Sequence, residues 1–220
     1  MEPIRNWKET DMELAVIIVG IDGWEEFTLP AVQSIRKHEP DVKIMVVDAA
    51  SKTPYPEYDG VTVLRLGYSP SYAFALNQGI KEVGAVDWYL LLNNDVFLHG
   101  PITPTIEKLD PAFIYGRQII TEAGHTWLGL WLALIPYWVG YLVGEFDERF
   151  LLCGFEDADY CVRAKELGID TLPVELPFHH HWGKTRWGLP EYDKVRKDNM
   201  DYFEVKHGYR LGENVRVVRD

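Results

Sequence analysis

Three short runs hold most of the side chains able to do chemistry: Asn93-Asn94-Asp95, Glu156-Asp157 and His179-His180-His181. A carboxylate beside two amides can hold a divalent cation through oxygen, and through it a phosphate. A rigidly held carboxylate such as Glu156 or Asp157 can also take a proton from a hydroxyl. Three adjacent histidines offer imidazole, the commonest side-chain ligand of transition metals, so at least one of them is expected to bind metal. The local alternatives are plain. Asn-Asn-Asp favours turns, and acids in the first turn of a helix are stabilised by its dipole.

The elements that must position these groups are legible in the pattern of apolar residues. Trp88 to Leu92 is an uninterrupted apolar run and reads as a strand buried on both faces, with Asn93, Asn94 and Asp95 emerging at its carboxyl end. Leu14–Gly20, residues 42–48 and Val61–Arg65 read as further strands, and the stretches from Trp24 to His38 and from Ser69/Pro70 to Val83 as helices between them. Strand, helix, strand at such spacing makes βαβ units, hence a mostly parallel sheet with right-handed crossovers. Gly20 to Asp22, Asp48 and Asp95 then share one sheet edge, the edge where open α/β sheets bind ligands. Neither G-x-G-x-x-G nor G-x-x-x-x-G-K-[ST] occurs, so phosphates held there need metal and side chains.

Further along, residues 126–144 contain no charge. Pro136 and three glycines break this stretch, which favours a strand over 128–135 and a short helix after Pro136 rather than a membrane span. Its Trp127, Trp131, Tyr137, Trp138 and Tyr141 either pack in the core or form an aromatic surface for a sugar, a partner or a membrane. A helix is predicted over residues 156–167, with Asp159 and Arg163 paired on its surface at i,i+4. A short strand follows at residues 171–174 and an amphipathic helix at 190–206.

The 220 residues suit one α/β domain, and a net charge of −12 disfavours a general nucleic-acid binder. Residues 1–183 hold 13 Lys/Arg against 27 Asp/Glu, whereas 184–220 hold 9 against 7, so the last segment is mildly basic. Cys153 and Cys161 form no C-x-x-C pair and no disulfide framework, as in a cytoplasmic protein with reduced thiols. Residues 1–12 lack an apolar signal core and read as a polar lead-in.

In order and spacing, the motifs resemble those of inverting glycosyltransferases of the GT-A fold, family-2 type. The matching segments include Ala15-Val-Ile-Ile-Val, Val46-Val-Asp48-Ala-Ala-Ser51, Tyr72-Ala-Phe-Ala-Leu-Asn77-Gln-Gly, Leu91-Leu-Asn-Asn-Asp95-Val, Gly144-Glu-Phe-Asp-Glu-Arg-Phe, Glu156-Asp-Ala-Asp159-Tyr-Cys-Val-Arg163 and Phe178-His-His-His-Trp182. The resemblance implies a transferase domain over residues 13–188, nucleotide-binding in 13–98 and acceptor-binding and catalytic in 99–188, followed by a C-terminal helix and tail. It implies that Val19, Gly20, Ile21 and Asp22 flank a nucleotide base, that Asp48 accepts the base N–H, and that Asn77 and Asn94 order the ribose and phosphates. Asp95 would ligate Mn²⁺ or Mg²⁺ with Asn93 beside it, where many relatives carry Asp. His179 is the first choice for an imidazole ligand and His181 the second, a set that leans toward Mn²⁺. Asp157 would be the general base, with Glu156 next to it. Lys184 and Arg186, in a segment resembling Gln-x-x-Arg-Trp with Gly183 in place of Gln, would close over the diphosphate. Trp127, Trp131 and Trp182 would face the acceptor.

The implied reaction moves a sugar from a nucleotide diphosphate donor, UDP-sugar first, to a hydroxyl of a glycan, a lipid-linked or another acceptor. It would take place in the cytoplasm, with contact at the inner face of a membrane as a further expectation. The competing readings are a non-catalytic sugar-nucleotide or carbohydrate-binding module, and a transferase acting on modified bases in viral DNA. A sugar-phosphate nucleotidyltransferase is disfavoured, because the loop after the first strand is acidic at Asp22, Glu25 and Glu26.

Overall fold

The computed structural model describes residues 12–121, 124–181 and 191–211, and the backbone of 215–217. Lys184, Arg186 and Trp182 lie outside the described residues, as does most of the polar lead-in.

The chain opens with β1 (Leu14–Gly20), and a π-helical turn (Trp24–Thr28) then runs into α1 (Leu29–His38). β2 (Lys43–Asp48), β3 (Val61–Arg65), α2 (Tyr72–Val83) and β4 (Trp88–Asn93) follow. After them come β5 (Val96–Leu98), α3 (Thr103–Ile106), β6 (Ile114–Thr121), β7 (Thr126–Pro136) and α4 (Tyr137–Val143). The chain ends with α5 (Glu156–Glu166), β8 (Thr171–Pro173), β9 (Phe178–His180), α6 (Tyr192–His207) and β10 (Val215–Val217).

The main sheet has the order β10-β6-β7-β4-β1-β2-β3, with β8 also pairing β6. β1 pairs in parallel with β2 and with β4, and β2 with β3, so their carboxyl ends lie together as the βαβ spacing predicts. β7 runs antiparallel between β4 and β6, and β10 antiparallel to β6, whereas β8 is parallel to β6. Within this sheet every strand but β7 and β10 shares one direction. The charge-free stretch is thus the central strand β7 followed by the short helix α4, as expected, and no described helix is long and apolar enough to cross a membrane.

Alternation along β1 shows why its run is wholly apolar. Ala15, Ile17 and Val19 face a core that also holds Leu76 of α2, Tyr160 of α5 and Phe203 of α6. Leu14, Val16 and Ile18 face a second core with Val32 and Ile35 of α1 and Ile106 of α3. Covered on both faces, the strand has no side on which a polar residue would be solvated. Met200 and Phe203 of α6 belong to the same core as β1, so the C-terminal helix packs on the body of the fold.

The pairing of Asp159 with Arg163 is real but not a surface feature. Asp159 is fully buried, and besides Arg163 Nε at 2.9 Å its carboxylate meets Lys206 and, at 2.9 Å, His207 Nε2 of α6. Helical spacing foretold the pair; burial of that face came from α6 packing over it.

Candidate active site

β1 and β4 end side by side, with Val19 opposite Asn93, and the chain beyond each end forms the floor of a cleft. Val19, Gly20, Ile21 and Ala49 line one side, Asn93, Asn94 and Asp95 the centre, and Glu156 and Asp157 enter from the start of α5. The cleft holds about 1130 Å³ when the space of its open mouth is counted.

Asn94 is fixed from below by a buried relay. Its Nδ2 donates to Thr28 Oγ1 (3.0 Å), Thr28 Oγ1 donates to Tyr55 Oη (3.1 Å), and Tyr55 Oη donates to the Asp22 carbonyl (2.6 Å). The relay passes against Gly20, where a Cβ would stand 2.7 Å from Tyr55 Oη and 2.8 Å from Asn94 Nδ2. Only glycine fits there, for steric reasons alone.

Asp95 is buried, and its Oδ1 lies 3.2 Å from Nε2 of His180, also buried. The structure thus places His180, not the expected His179 or His181, beside Asp95. β9 pairs antiparallel with β5, Val96 opposite His180, and side chains alternate across a strand, so His180 turns inward while His179 and His181 stay exposed. The rings of His179 and His181 pack edge-to-face on the outside, 4.8 Å apart. Inside, the Trp131 ring stacks on His180 at 4.4 Å and lines the cleft. Trp131 can lie so because position 129 is glycine: a Cβ there would stand 2.5 Å from the Trp131 Nε1. Trp127 is instead buried in the core and does not line the cleft.

A cation can be held here by the residues present. Donors at right angles on an ion with bonds of about 2.1 Å sit about 3 Å apart, which matches the 3.2 Å between Asp95 and His180. Among the described residues no group of three His, Cys, Asp or Glu side chains is gathered for a metal. Among the described residues Asp95 and His180 are the donors that could hold a cation, with the Asn93 amide at the same cleft, and further positions would fall to phosphate and water.

Asp48 and Asn77 do not line the cleft. Asp48 is fully buried: its Oδ1 accepts from Ser51 N (2.9 Å), and its Oδ2 from Tyr55 N (3.0 Å) and Arg65 Nη1 (2.6 Å). Burial alone would raise this carboxyl, but the bonds from Ser51, Tyr55 and Arg65 together hold it below the usual range. Both oxygens are thereby committed to the 48–55 loop. Asn77 is spent on the turn before α5, bonding Phe146 N and O and the Glu148 carboxylate at 2.9 Å each. Asp22 is exposed beside the cleft, its backbone N–H donating to Ser51 Oγ and its carboxylate accepting from Lys52 N.

Of the α5 acids, Glu156 is buried and accepts from Gly154 N, whereas Asp157 is half-buried. Ser69, Ser71, Tyr72 and Cys153 complete the polar lining, and none of them was among the expected site residues. Burial, then the charges of Glu156, Asp95, Cys153 and Asp157, push the Tyr72 hydroxyl well above its ordinary value, so it stays protonated and able to donate. Among the described lining residues there are three carboxylates and no lysine or arginine.

No protein-family model and no curated protein matches the sequence. Solved structures do match. GalNAc-T7 with UDP, GalNAc and Mn²⁺ superposes with a TM-score of 0.67 at 14% identity, over 90% of this chain and 51% of that one. The mannosyltransferase PcManGT from Pyrobaculum calidifontis, with GDP-Man and Mn²⁺, gives 0.59 at 13% identity over 76% and 59%. Drosophila beta1,4galactosyltransferase 7 with xylobiose gives 0.55 at 13% identity over 84% and 80%. The chain thus spans about half the length of GalNAc-T7. What is shared at such identities is architecture, and it is one architecture throughout: this chain has the GT-A glycosyltransferase fold.

Proposed function

We propose that the chain is a metal-dependent glycosyltransferase that moves a sugar from a nucleoside diphosphate, UDP first among them, to an acceptor hydroxyl with inversion. The observation that carries this reading is the charge pattern of the cleft: Asp95 with His180 at the β4 end, Asp157 at the start of α5, and no lysine or arginine among the described lining residues. Among the described lining residues none offers a diphosphate positive charge. Asp95 and His180, with Asn93 beside them, would hold a divalent cation, which when bound would supply the positive charge that a leaving diphosphate needs.

The chain's own residues do the rest. Asp157, the less buried of the two α5 acids, takes the proton of the acceptor hydroxyl as its oxygen bonds the anomeric carbon and the bond to the diphosphate breaks. Glu156 keeps the loop before α5 in place through Gly154 N rather than sharing that task. Val19, Gly20, Ile21 and Ala49 form the wall for the base, and Asp48 holds that wall through Ser51, Tyr55 and Arg65 instead of meeting the base itself. Trp131 gives the acceptor, a glycan or a lipid-linked sugar, an apolar face.

The test combines thermal shifts with UDP, GDP and CMP, each with Mn²⁺ or EDTA, and turnover of the matching sugar donors. Asp157→Asn is expected to keep the nucleotide shift and to lose turnover by 10²-fold or more, roughly the contribution of a general base. Retained turnover in that variant removes Asp157 from its role, and an NMR assignment of the product anomer decides inversion.

A further inference from the structure

One wall of the cleft is the loop between Leu151 and Phe155, whose backbone is left-handed at Leu152 (φ 53°), Gly154 (φ 107°) and Phe155 (φ 75°). Two of these residues carry a Cβ, and side chains rarely hold that conformation without outside support. Support comes from two sides. Leu152 N donates to the Pro70 carbonyl at 2.9 Å and Tyr72 N to the Leu152 carbonyl at 2.6 Å, which ties the loop to the start of α2. On the other side α6 packs Phe203 and Arg196 on the Phe155 ring and brings the Asn199 side chain to the loop's backbone. Asn199 is 3% exposed; its Oδ1 accepts from Leu151 N (3.1 Å), and its Nδ2 donates to the carbonyls of Leu151 (2.9 Å) and Gly154 (3.1 Å). Both amide protons and the carbonyl are used, on backbone groups that bracket Leu152 and Cys153.

We propose that Asn199 is a positioning residue of the cleft, a clamp through which the C-terminal helix sets the shape of the wall beside Asp157. The clamp is anchored on both sides of the proposed base. Lys206 and His207 of the same helix hold Asp159, two residues after Asp157, and Tyr202 and Lys206 hold Asp147 at 2.9 and 2.7 Å. An amide suits the position where a carboxylate would not, since an aspartate would set an oxygen against two carbonyl oxygens.

Two thiols report the outcome without any substrate. Cys153 lies in the clamped loop at the cleft. Cys161 is buried in α5, accepts from Leu128 N at 3.4 Å and is pushed up to about 12 by burial, so it reacts only when the fold itself opens. N-ethylmaleimide labelling of the full chain, read by mass spectrometry, is therefore compared for wild type, Asn199→Ala and Asn199→Asp. Both variants are expected to label Cys153 about tenfold faster or more, with Cys161 still protected, as local opening of the loop requires. An unchanged Cys153 rate overturns the clamp, and so does labelling of both thiols together, which would make Asn199 a support of the whole fold. A second arm rests on the transferase reading: in Asn199→Ala, nucleotide affinity stays within about twofold while turnover falls about tenfold or more. Absence of turnover in wild type itself counts against the transferase reading alone, because the labelling arm still decides the clamp.

Discussion

Replacing Gly20 by alanine tests the floor of the cleft with one methyl group. Ordinary van der Waals contact begins at 3.4 Å, and the added Cβ would stand 2.7 Å from Tyr55 Oη and 2.8 Å from Asn94 Nδ2. The two groups must therefore give way by 3.4 − 2.7 = 0.7 Å and 3.4 − 2.8 = 0.6 Å. Neither is a loose end, because both belong to the relay from Asn94 through Thr28 and Tyr55 to Asp22. Overpacking of a filled interior costs about 1–3 kcal/mol, and weakening one or two buried hydrogen bonds adds about 1 kcal/mol each, so Gly20→Ala should cost roughly 2–5 kcal/mol. At about 2–4 °C per kcal/mol for a chain of this size, Tm should fall by about 4–20 °C. Denaturant unfolding of Gly20→Ala, Tyr55→Phe and the double variant separates this mechanism from others. Tyr55→Phe removes the oxygen that the methyl meets, so the double variant should be about 1 kcal/mol or more stabler than the sum of the single losses predicts. Strict additivity, or a Gly20→Ala protein within about 0.5 kcal/mol of wild type, would refute the steric account.

Further outcomes concern charge. With nucleotide and Mn²⁺ at a hundred times the dissociation constant, binding should raise Tm by about 5–10 °C, the equivalent of about 2.7 kcal/mol. Asp95→Asn and His180→Ala should each abolish that rise, whereas His179→Ala and His181→Ala should retain it; calorimetric Mn²⁺ titration gives the same comparison without nucleotide. Asp147 tests acid stability. Burial alone would raise its carboxyl, but bonds from Arg149, Lys206 and Tyr202 hold it well below the ordinary range. A carboxyl depressed on folding stabilises above its unfolded value of 3.8 and loses that contribution as pH falls through the lower folded value. Asp147→Asn should thus cost about 1–3 kcal/mol at neutral pH, exposed Arg149 supplying little of it, and the gap from wild type should close below about pH 4 in urea unfolding followed against pH.

The sheet was legible because its central strands are covered on both faces and leave continuous apolar runs. β6 escaped notice for the opposite reason: Arg117 and Gln118 interrupt it, and its register shifts between Gly116 and Arg117. Local sequence placed Asp95 at a strand end and Asp157 at a helix start, and the structure brings both to one cleft. Which histidine would stand beside Asp95 was not legible, because His179, His180 and His181 differ locally in nothing. Which one turns inward follows from the pairing of β9 with Val96–Leu98, 85 residues from Asp95 to His180 along the chain. Asp48 shows a related limit: a carboxylate at a strand end looks available until Ser51, Tyr55 and Arg65 are seen to occupy it.

The insertion of β7 between β4 and β6 also has a consequence during synthesis. β4 pairs with β1 on one side, but its other edge stays open until Thr126–Pro136 has been made. Between Asn93 and Pro136 lie 136 − 93 = 43 residues of elongation. At about 5–20 residues per second, the Trp88-Tyr-Leu-Leu-Leu edge waits roughly 2–9 s for its partner. An unpaired apolar edge is the template on which nascent chains pair with one another. The strand that leads into the proposed metal site thus also gives the nascent chain an apolar edge for a chaperone to cover.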